Sequence, residues 1–421
     1  MSKAIKNKIK TYSTLYSVAE VDGEVPESPQ LQPMRISSDG NGVAGTNEEI
    51  ESDILIPETR IASTPEVGSA SNAGDISTEW NIDEQDDWFA GLFSNEWTGT
   101  AARKMLTLGD KIKTFSLFEK FSQAPTAWKH FRNEFINQLT MDFATDSFVK
   151  LTWNFMGSNN PKKTSVFPLS VTPTFLEASK TKSFITKSGM WLKIGDTVEG
   201  LEALRQSPSL NITINNNLER TPALGEDESI ENSYGNFDVD GTLDVYDVDD
   251  IGHTLYNDAV DGKDKVLQVR VSRKVGTTIT AYTLTLNVHL SSPTPSRNGN
   301  KFQFGIPFKM NSVTDLSLVK TVENTAVAET PVFSETLSNA SYTVGTTADE
   351  LDGTATVTDG GTVTYQWYKN DVLVTSATSA TIIPDTTEAG TTEYTVVATN
   401  TKNGATATAE QLCIITVIPS E

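Results

Sequence analysis

The chain has 421 residues, of which 21% are charged and 37% hydrophobic, and its net charge is −22. This length predicts two or three domains, and the composition is typical of a soluble globular chain. The acidic balance argues against binding nucleic acid through its phosphates, which requires lysine and arginine. The single cysteine, Cys413, excludes an intrachain disulfide.

Residues 1–32 are predicted to form a polar N-terminal arm that ends in a proline-containing stretch. The start of the chain is basic but lacks the apolar run of a signal peptide. No stretch reaches the roughly 20 apolar residues of a membrane span. We therefore expect synthesis in a cytoplasm and no membrane association. The basic cluster of the arm consists of Lys3, Lys6, Lys8 and Lys10.

Residues 38–75 are rich in Gly, Ser, Asn and acids, and this composition predicts long loops that join short strands. From Ile76 to Ile82 apolar and polar residues alternate, which predicts a half-buried strand. Asp83 then predicts the start of a helix, because acidic residues follow it in the first turn. The apolar stripe of that helix, Trp88, Phe89, Leu92 and Phe93, indicates core packing.

Residues 138–157 predict a β-hairpin. Leu139, Met141 and Phe143 alternate with polar residues, the Ala-Thr-Asp-Ser stretch predicts a turn, and alternation resumes from Val149 to Phe155. The preceding residues, 126–137, are ambiguous, because their aromatic residues recur at helical spacing. Residues 207–320 again alternate through several strands, with one short helix predicted near residues 253–262.

The composition changes after residue 321. Residues 322–334 lose periodicity and contain Pro331, which predicts a linker, and residues 335–421 are rich in Thr, Val and Ala. Trp367 lies in a predicted strand, and Tyr394 precedes Val396 by two positions. These features resemble the core tryptophan and the tyrosine corner of an immunoglobulin-like sandwich, with Val396 at the position of the second cysteine. The resemblance implies a domain without a disulfide.

Two chemical motifs are weak. Residues 238–242 spell D-x-D-G-T, the pattern of haloacid-dehalogenase phosphatases, but the βα units and the buried parallel strand of that fold are missing. Asp247, Asp249 and Gly252 fall at calcium-loop offsets, yet Ile251 takes a ligand position and Asp258 replaces the usual Glu. The three histidines follow no metal-ligand spacing. We predict neither an enzyme, nor a metal site, nor a cofactor.

Asp238, Asp240 and Asp244 instead share one face of a predicted strand. A row of like charges repels itself, so it is tolerated where it faces water. Two interpretations remain open at this point. The face is an ordinary solvated surface, or it is the wall of a water-filled channel that must repel a polyanion.

Residues 33–160 resemble the tail tube proteins of long, non-contractile-tailed bacteriophages. The resemblance rests on "MRISSDGNGVAGTNEEIESDILIPETRIAS", on "GDISTEWNIDEQDDWFAGLFSNEWT" and on the stretch that ends in Phe155-Met156-Gly157. "NITINNNLE", "VDGTLDVYD" and "GIPFKM" are similar to later segments of the family. The resemblance to this family implies a mainly β fold. Residues 33–321 would form a tail-tube-type β-sandwich or partial barrel with one clear α-helix, and an immunoglobulin-like β-sandwich would follow.

The resemblance also implies the assembly. About six copies would close into a ring, rings would stack into a tube, and DNA would pass through without specific binding. The expected partners are other copies of the chain, the tape measure protein, the tail terminator and the distal tail protein, in a virion tail assembled in the host cytoplasm. The alternatives are another virion surface protein (capsid or decoration) and an extracellular adhesin with an immunoglobulin-like binding domain.

Overall fold

A computed structural model describes residues 13–37, 42–50, 64–121, 127–187, 189–248, 250–298, 301–324, 328–402 and 404–420. The basic cluster at Lys3–Lys10 and the ligand position Asp249 lie outside these described residues. The chain divides into two compact units, and the main division falls between Val322 and Glu323. The fold is mainly β, as predicted, with two α-helices in the described residues.

The first unit contains twenty described strands. They are β1 Ser13–Ala19, β2 Gln30–Met34, β3 Gly42–Ile50, β4 Glu66–Glu79, β5 Thr98–Gly99, β6 Arg103–Leu106, β7 Phe115–Phe121, β8 Ala127–Ala144, β9 Lys150–Gly157, β10 Thr174–Phe175, β11 Met190–Gly195, β12 Glu202–Ala203, β13 Ser209–Asn215, β14 Glu219–Thr221, β15 Glu231–Ser233, β16 Asp238–Tyr246, β17 Asp264–Val275, β18 Thr278–Leu290, β19 Thr294–Asn298 and β20 Lys301–Asn324. The helices are α1 Asp86–Leu92 and α2 Asp250–Val260.

The second unit contains nine described strands, which range from 2 to 14 residues in length. They are β21 Val332–Phe333, β22 Ala340–Thr343, β23 Leu351–Asp352, β24 Ala355–Thr356, β25 Thr362–Lys369, β26 Val372–Leu373, β27 Thr381–Ile382, β28 Gly390–Lys402 and β29 Ala405–Ile418. Five of them form a sheet in the order β22-β29-β28-β25-β26, and two short pairs, β21–β24 and β23–β27, complete the unit.

One large sheet organises the first unit. Six strands lie side by side in the order β3-β4-β9-β8-β13-β16, each antiparallel to the next, and β20 follows β16. On its other side β20 pairs with β18 and β19, and β17 pairs with β11, which carries the short β12. The described strands do not close into a barrel.

Strand β8 resolves the ambiguity at residues 126–137, because its described part is extended from Ala127 onward. Its first half pairs with β7, and its second half pairs with β9 and β13. Trp128 joins a small cluster with Leu31 and Phe118, whereas Phe131 packs in the main core. The helical spacing of the aromatics therefore reflects a strand that buries side chains on both of its faces.

The main core lies under the large sheet and includes helix α1. Trp88 and Phe89 each contact Trp153 of β9, with ring centroids 5.4 and 5.0 Å apart. The indole nitrogen of Trp88 donates to Ser17 Oγ at 2.9 Å, which fixes α1 to β1. The apolar stripe predicted for this helix is buried.

The helix predictions need two corrections. Helix α1 begins at Asp86, not at Asp83, because Asp83 adopts a left-handed backbone (φ 70°) in the turn before it. Helix α2, which the sequence predicts as a short helix near residues 253–262, is longer than α1, with 11 residues from Asp250 to Val260. None of the described helices is long and apolar enough to cross a membrane.

The predicted segment boundaries also shift. Strand β1 and the start of β2 fall inside the predicted arm 1–32 and pair with β7 and with each other, so the described part of that arm belongs to the sheet. Alternating burial of Leu15 and Ser17 against the core explains this position. The predicted linker 322–334 contains the end of β20 and strand β21, which pairs with β24.

Candidate functional site

The acidic strand lies in the middle of the large sheet. In β16 the side chains of Val239, Leu243 and Val245 are buried, whereas Asp238 and Asp240 are exposed. The period of two that the sequence predicts is therefore present. The three predicted aspartates, Asp238, Asp240 and Asp244, lie on the same outer face of the strand. Asp244 is half-buried there.

The neighbouring strands extend this polar surface. In register, Thr213 of β13 lies opposite Asp240, and Thr140 of β8 lies opposite Thr213. The row continues through Thr152 and Ser77. We call the resulting surface the polar face; its side chains come from β4 (Asp75, Ser77, Glu79), β9 (Lys150, Thr152, Asn154), β8 (Gln138, Thr140, Asp142), β13 (Ser209, Asn211, Thr213, Asn215), β16 (Asp238, Asp240, Thr242, Asp244) and β20 (Lys309).

Neutral donors hold several carboxylates of the polar face. Asn211 Nδ2 donates to Asp142 Oδ1 at 2.6 Å, and Asn154 Nδ2 donates to Asp75 Oδ1 at 2.7 Å. The hydroxyl of Ser209 donates to Asp244. Amides and hydroxyls orient a carboxylate without cancelling its charge. The hydrogen bonds therefore order the polar face and leave its charge in place.

Asp238 also accepts a hydrogen bond from a neutral donor, and this donor lies in a turn outside the strands of the polar face. Asn217, which follows β13, donates its side-chain amide to Asp238 Oδ2 at 2.8 Å and to the carbonyl of Asn236 at 2.7 Å. The backbone of Asn217 is left-handed, with φ 47°. This turn residue thus connects the end of β13 to the start of β16.

The polar face carries a net negative charge. It contains six carboxylates and two lysines, Lys150 and Lys309, which lie opposite Asp142 and Asp240 on neighbouring strands. Like charges on a water-exposed sheet add up to a potential that repels anions and attracts cations. The arrangement is suited to contact with water.

Gly241 explains how this strand lies so close to its neighbours. A Cβ added there would meet the carbonyl oxygen of Asn211 at 2.2 Å and the Phe308 ring at 2.4 Å. Phe308 itself is 1% exposed. The glycine of the D-x-D-G-T stretch therefore makes room for a core phenylalanine, a packing role that requires no chemistry.

The strand geometry does not fit a phosphatase. Both neighbours of β16 are antiparallel, so Asp238 does not follow a buried parallel strand. The residues at the calcium-loop offsets do not form such a loop, because residues 250–260 form helix α2 and Asp258 pairs with Lys263 and Lys265 at 2.5 and 2.6 Å. The described residues contain no group of metal-ligating side chains.

Two other polar clusters are internal. Lys320 is 6% exposed and binds the carboxylates of Asp83 and Asp86, while the Tyr282 hydroxyl donates to Asp86 at 2.6 Å. Burial lowers the pKa of Lys320, but Asp86 and Asp83 outweigh that effect and the net shift is upward. The cluster ties the start of α1 to β18 and β20.

The second internal cluster joins a serine, a histidine and a glutamate. Ser116 Oγ lies 2.6 Å from Glu20 Oε1 and 2.8 Å from His130 Nε2. Ser116 is fully buried, so it cannot meet a substrate. Burial, with a smaller effect of Arg132, lowers the pKa of His130 to about 4. The cluster is a structural hydrogen-bond network around a neutral imidazole.

The residues singled out in the second unit lie together in its core. Trp367 and Val396 are opposite each other on β25 and β28 and are fully buried, and Tyr394 is 3% exposed. The Tyr394 hydroxyl accepts a hydrogen bond from the backbone N–H of Asp385 at 3.0 Å. The immunoglobulin-like assignment stays a prediction, and these contacts describe its expected core.

Sequence reasoning missed half of the acidic side chains of the polar face: Asp75, Glu79 and Asp142. Asp142 had a signal, because it stands between Met141 and Phe143 in an alternating strand. The order in which β4, β9 and β8 lie beside β13 and β16 had none, because these strands are far apart in the chain.

The described chain is mainly β, and its large sheet is apolar on one side and polar on the other. The model of one family, described as phage tail tube protein, matches residues 11–311, and the chain belongs to this family. It is therefore a structural component of a phage tail, and the family is not an enzyme family. A comparison with curated proteins found no significant match.

Proposed function

We propose that copies of this chain close into rings of about six, and that the rings stack into a tube through which DNA enters the host cell. The observation that carries this proposal is the polar face: a wide sheet that is apolar below and net acidic above, in a chain of the tail tube family. Such a sheet needs water on one side and a covered core on the other.

The edges of the sheet support assembly. In the described chain β3 lies at one end of the strand order, pairs with β4, and leaves most of its residues exposed. An exposed nine-residue edge is a template for pairing with another chain, and natural proteins cover such edges. A contact between unlike edges of neighbouring copies closes into a ring when the rotation permits.

The polar face is proposed as the wall of the channel. Duplex DNA carries about one phosphate charge per 1.7 Å, so a basic wall would hold it and an acidic wall lets it slide. Asp238, Asp240 and Asp244 lie in the centre of this face, with Asp142 and Asp75 on the strands beside them. Neutral donors orient the carboxylates of Asp238, Asp244, Asp142 and Asp75 without cancelling their charge, which suits a wall that repels phosphates.

Electron microscopy of the purified full chain tests the assembly. The expected result is stacked rings with a central channel and density for the polar face at its wall. A map that places Asp238 and Asp240 on the exterior would reject the channel assignment. A chain that stays monomeric, or that forms shells, would reject the tube itself and favour a capsid or decoration role.

Charge reversal tests the role of the channel in delivery. Particles that carry Asp238→Lys, Asp240→Lys and Asp244→Lys are expected to release DNA about tenfold more slowly at low salt, because added cations attract phosphates. The matched control reverses three exposed acids of the second unit, Glu350, Asp371 and Glu388. Equal release rates for the two triple variants would show that the polar face does not meet the DNA.

The tape measure protein, the tail terminator and the distal tail protein are proposed as partners of the tube. The second unit is proposed to be dispensable for polymerisation. The second unit has a separate hydrophobic core around Trp367 and Tyr394. A chain that ends before residue 335 is therefore expected to form tubes of normal diameter. Loss of tubes in that shortened chain, with a melting transition retained, would show that the second unit takes part in assembly.

A further inference from the structure

Lys320 lies in surroundings where lysine is seldom found. Its side chain is 7% exposed, and its Nζ contacts one carboxylate oxygen of Asp83 and one of Asp86. The same Nζ lies 5.2 Å from the centroid of the Tyr282 ring. Lysine is almost never so deeply buried unless it is paired. The structure therefore holds an amine and two carboxyl groups in contact inside the first unit.

The two carboxyl groups differ in their access to water. The Asp83 side chain is 73% exposed, whereas that of Asp86 is 20% exposed. Burial raises the pKa of Asp86 above its usual range, because desolvation outweighs the opposing effect of Lys320. Asp86 is thus the carboxyl group that more readily loses its charge, and Asp83 is the one that reaches the solvent.

Tyr282 orients the carboxyl group of Asp86. Its hydroxyl donates to Asp86 Oδ1 at 2.6 Å and accepts from the backbone N–H of Asp83 at 3.2 Å. Lys320 contacts the other carboxylate oxygen of Asp86, Oδ2. This placement suits an attack of the amine on the carboxyl carbon, because the tyrosine hydroxyl stabilises the negative charge that develops on Oδ1.

Aromatic rings close this site on its inner side. The centroid of the Tyr282 ring lies 5.2 Å from that of Trp80 and 6.4 Å from that of Trp97. The indole nitrogen of Trp97 donates to the backbone carbonyl of Asp86 at 2.9 Å, and Trp80 is 2% exposed. Surroundings that exclude water favour an amide over the separate amine and acid, because water is a product of amide formation.

We infer that Lys320 and Asp86 form an isopeptide bond, an amide between the two side chains, and that their ion pair is the state before the bond forms. The Nζ of Lys320 attacks Cγ of Asp86, the bond from Cγ to Oδ2 breaks, and Oδ2 leaves as water. One ammonium and one carboxylate give one amide and one water molecule, so the step needs no oxidant or reductant. Contact between the two groups replaces a bimolecular encounter.

Asp83 moves the protons that this step requires. Burial lowers the pKa of Lys320, but Asp86 and Asp83 outweigh that effect, so the ammonium must give up a proton before it can attack. Asp83 contacts Nζ, and it carries two protons in turn from Nζ to Oδ2 while the third stays on the amide nitrogen. Because the amine starts as a charged group, the bond is expected to form slowly, after the chain has folded.

The bond joins two segments that are far apart in the sequence. Asp86 begins helix α1, and Lys320 lies 234 residues later, near the end of β20. Covalent closure of so long a loop restricts the unfolded chain and thereby stabilises the folded one. Both residues belong to the first unit of one copy, so the inference does not depend on the formation of rings or tubes.

Mass spectrometry of the intact full chain tests the bond. After prolonged incubation of the folded protein, its mass is expected to be lower than the mass of the sequence by one water molecule. A protease digest is expected to contain one branched peptide that joins Lys320 to Asp86, and fragmentation of this peptide identifies the aspartate. A folded parent chain that keeps its full mass, or a branch at Asp83, would overturn the inference.

Lys320→Arg is the matched control, because it keeps the buried cation and removes the amine. It is expected to keep the full mass of its sequence. A succinimide at an aspartate–glycine pair such as Asp261–Gly262 loses the same water as the proposed bond. A loss of water that persists in the Lys320→Arg chain would therefore contradict the bond.

Two further variants test the neighbours of the bond. Tyr282→Phe keeps the ring and removes the hydroxyl, and Asp83→Asn removes the proton acceptor. Each is expected to slow bond formation by about a hundredfold, measured as the fraction of lighter chain against time. Tryptophan fluorescence shows whether each variant is folded. A folded variant that forms the bond at the rate of the parent would overturn the role given to the residue that it replaces.

Discussion

The carboxylates of the polar face and those around Lys320 lie in opposite surroundings. Asp142 and Asp75 are exposed and accept hydrogen bonds from the amides of Asn211 and Asn154. Asp86 is largely buried and binds Lys320 and the Tyr282 hydroxyl. The first group keeps its charge and meets water, whereas the second has its charge compensated inside the protein.

The difference shows which carboxylates serve the fold and which serve the surface. Removing the partner of a buried charge leaves an uncompensated ion and destabilises the protein. Removing an exposed charge changes the surface potential and has little effect on folding. The number of acidic residues in the chain is therefore less informative about function than the donor that each carboxylate binds, which is a neutral amide or hydroxyl in one group and a buried lysine in the other.

The largest expected effect comes from Lys320→Met. It leaves Asp86 buried beside Asp83 without its cation, so the free energy of unfolding should fall by about 3 kcal/mol. The matched control is Lys309→Met on the polar face, which should change it by less than about 0.5 kcal/mol. Urea unfolding followed by tryptophan fluorescence measures both. Equal effects of the two changes would remove the distinction between the two groups of acids.

The pH dependence of the free energy of unfolding tests the effect of burial on His130. The pKa of His130 is lowered from 6.5 to about 4, so the unfolded chain binds its proton more readily. Its contribution is complete above pH 6.5 and is lost as the pH falls toward 4, by about 3 kcal/mol at most. The unfolding midpoint in urea should therefore fall across this window, and His130→Gln should flatten the decrease.

Two comparisons make the pH test specific. His253 is exposed on helix α2, so His253→Gln serves as the matched control for loss of a histidine. Burial raises the pKa of Glu134 well above 4.5, and this group contributes stability at low pH that is lost as the pH rises. The two contributions oppose each other in the parent chain. A His130→Gln slope identical to that of the parent would contradict the lowered pKa.

Gly241→Ala tests the packing beneath the polar face. The added Cβ would press on the Asn211 carbonyl and the Phe308 ring, and such overpacking costs about 1–3 kcal/mol. Phe308→Leu in the same chain should recover part of the loss by opening space. Chemical unfolding of the single and double variants measures the coupling. A Gly241→Ala chain as stable as the parent would mean that the strands move apart freely.

The smallest expected effect is that of Asp240→Asn. The side chain is exposed on β16, so the free energy of unfolding should change by less than about 0.5 kcal/mol. The surface potential of the polar face should nevertheless become less negative, which ion-exchange retention detects. A large loss of stability would place Asp240 with the acids that serve the fold.

Much of the fold could be predicted from local pattern. Alternation identified the β8–β9 hairpin and the two faces of β16, because side chains in a strand point to opposite sides in turn. Helix α2 was only partly foreseen, since Asp250 and Ile251 precede the segment that the pattern marked. The N-terminal strand β1 was missed because its polar outer residues resemble a loop.

The candidate site could be predicted only in part, because it depends on contacts distant in sequence. The pattern around Asp238 and Asp240 is local, but their neighbours come from β13, β8 and β4, up to about 160 residues away. The asparagines that hold Asp142 and Asp75 have no local signature. The family resemblance narrowed the function at once, since order and spacing over a long stretch carry more information than any single motif.

Strand β8 has a consequence for how such a chain can vary over generations. Its 18 residues place Trp128 in one apolar cluster and Phe131 in another, with a left-handed Asn133 (φ 52°) between the two pairing regions. One residue gained or lost in this stretch would turn a hydrophobic side chain outward and a polar one inward. Length differences among descendants should therefore collect in connections such as residues 222–230, while β8 keeps its length.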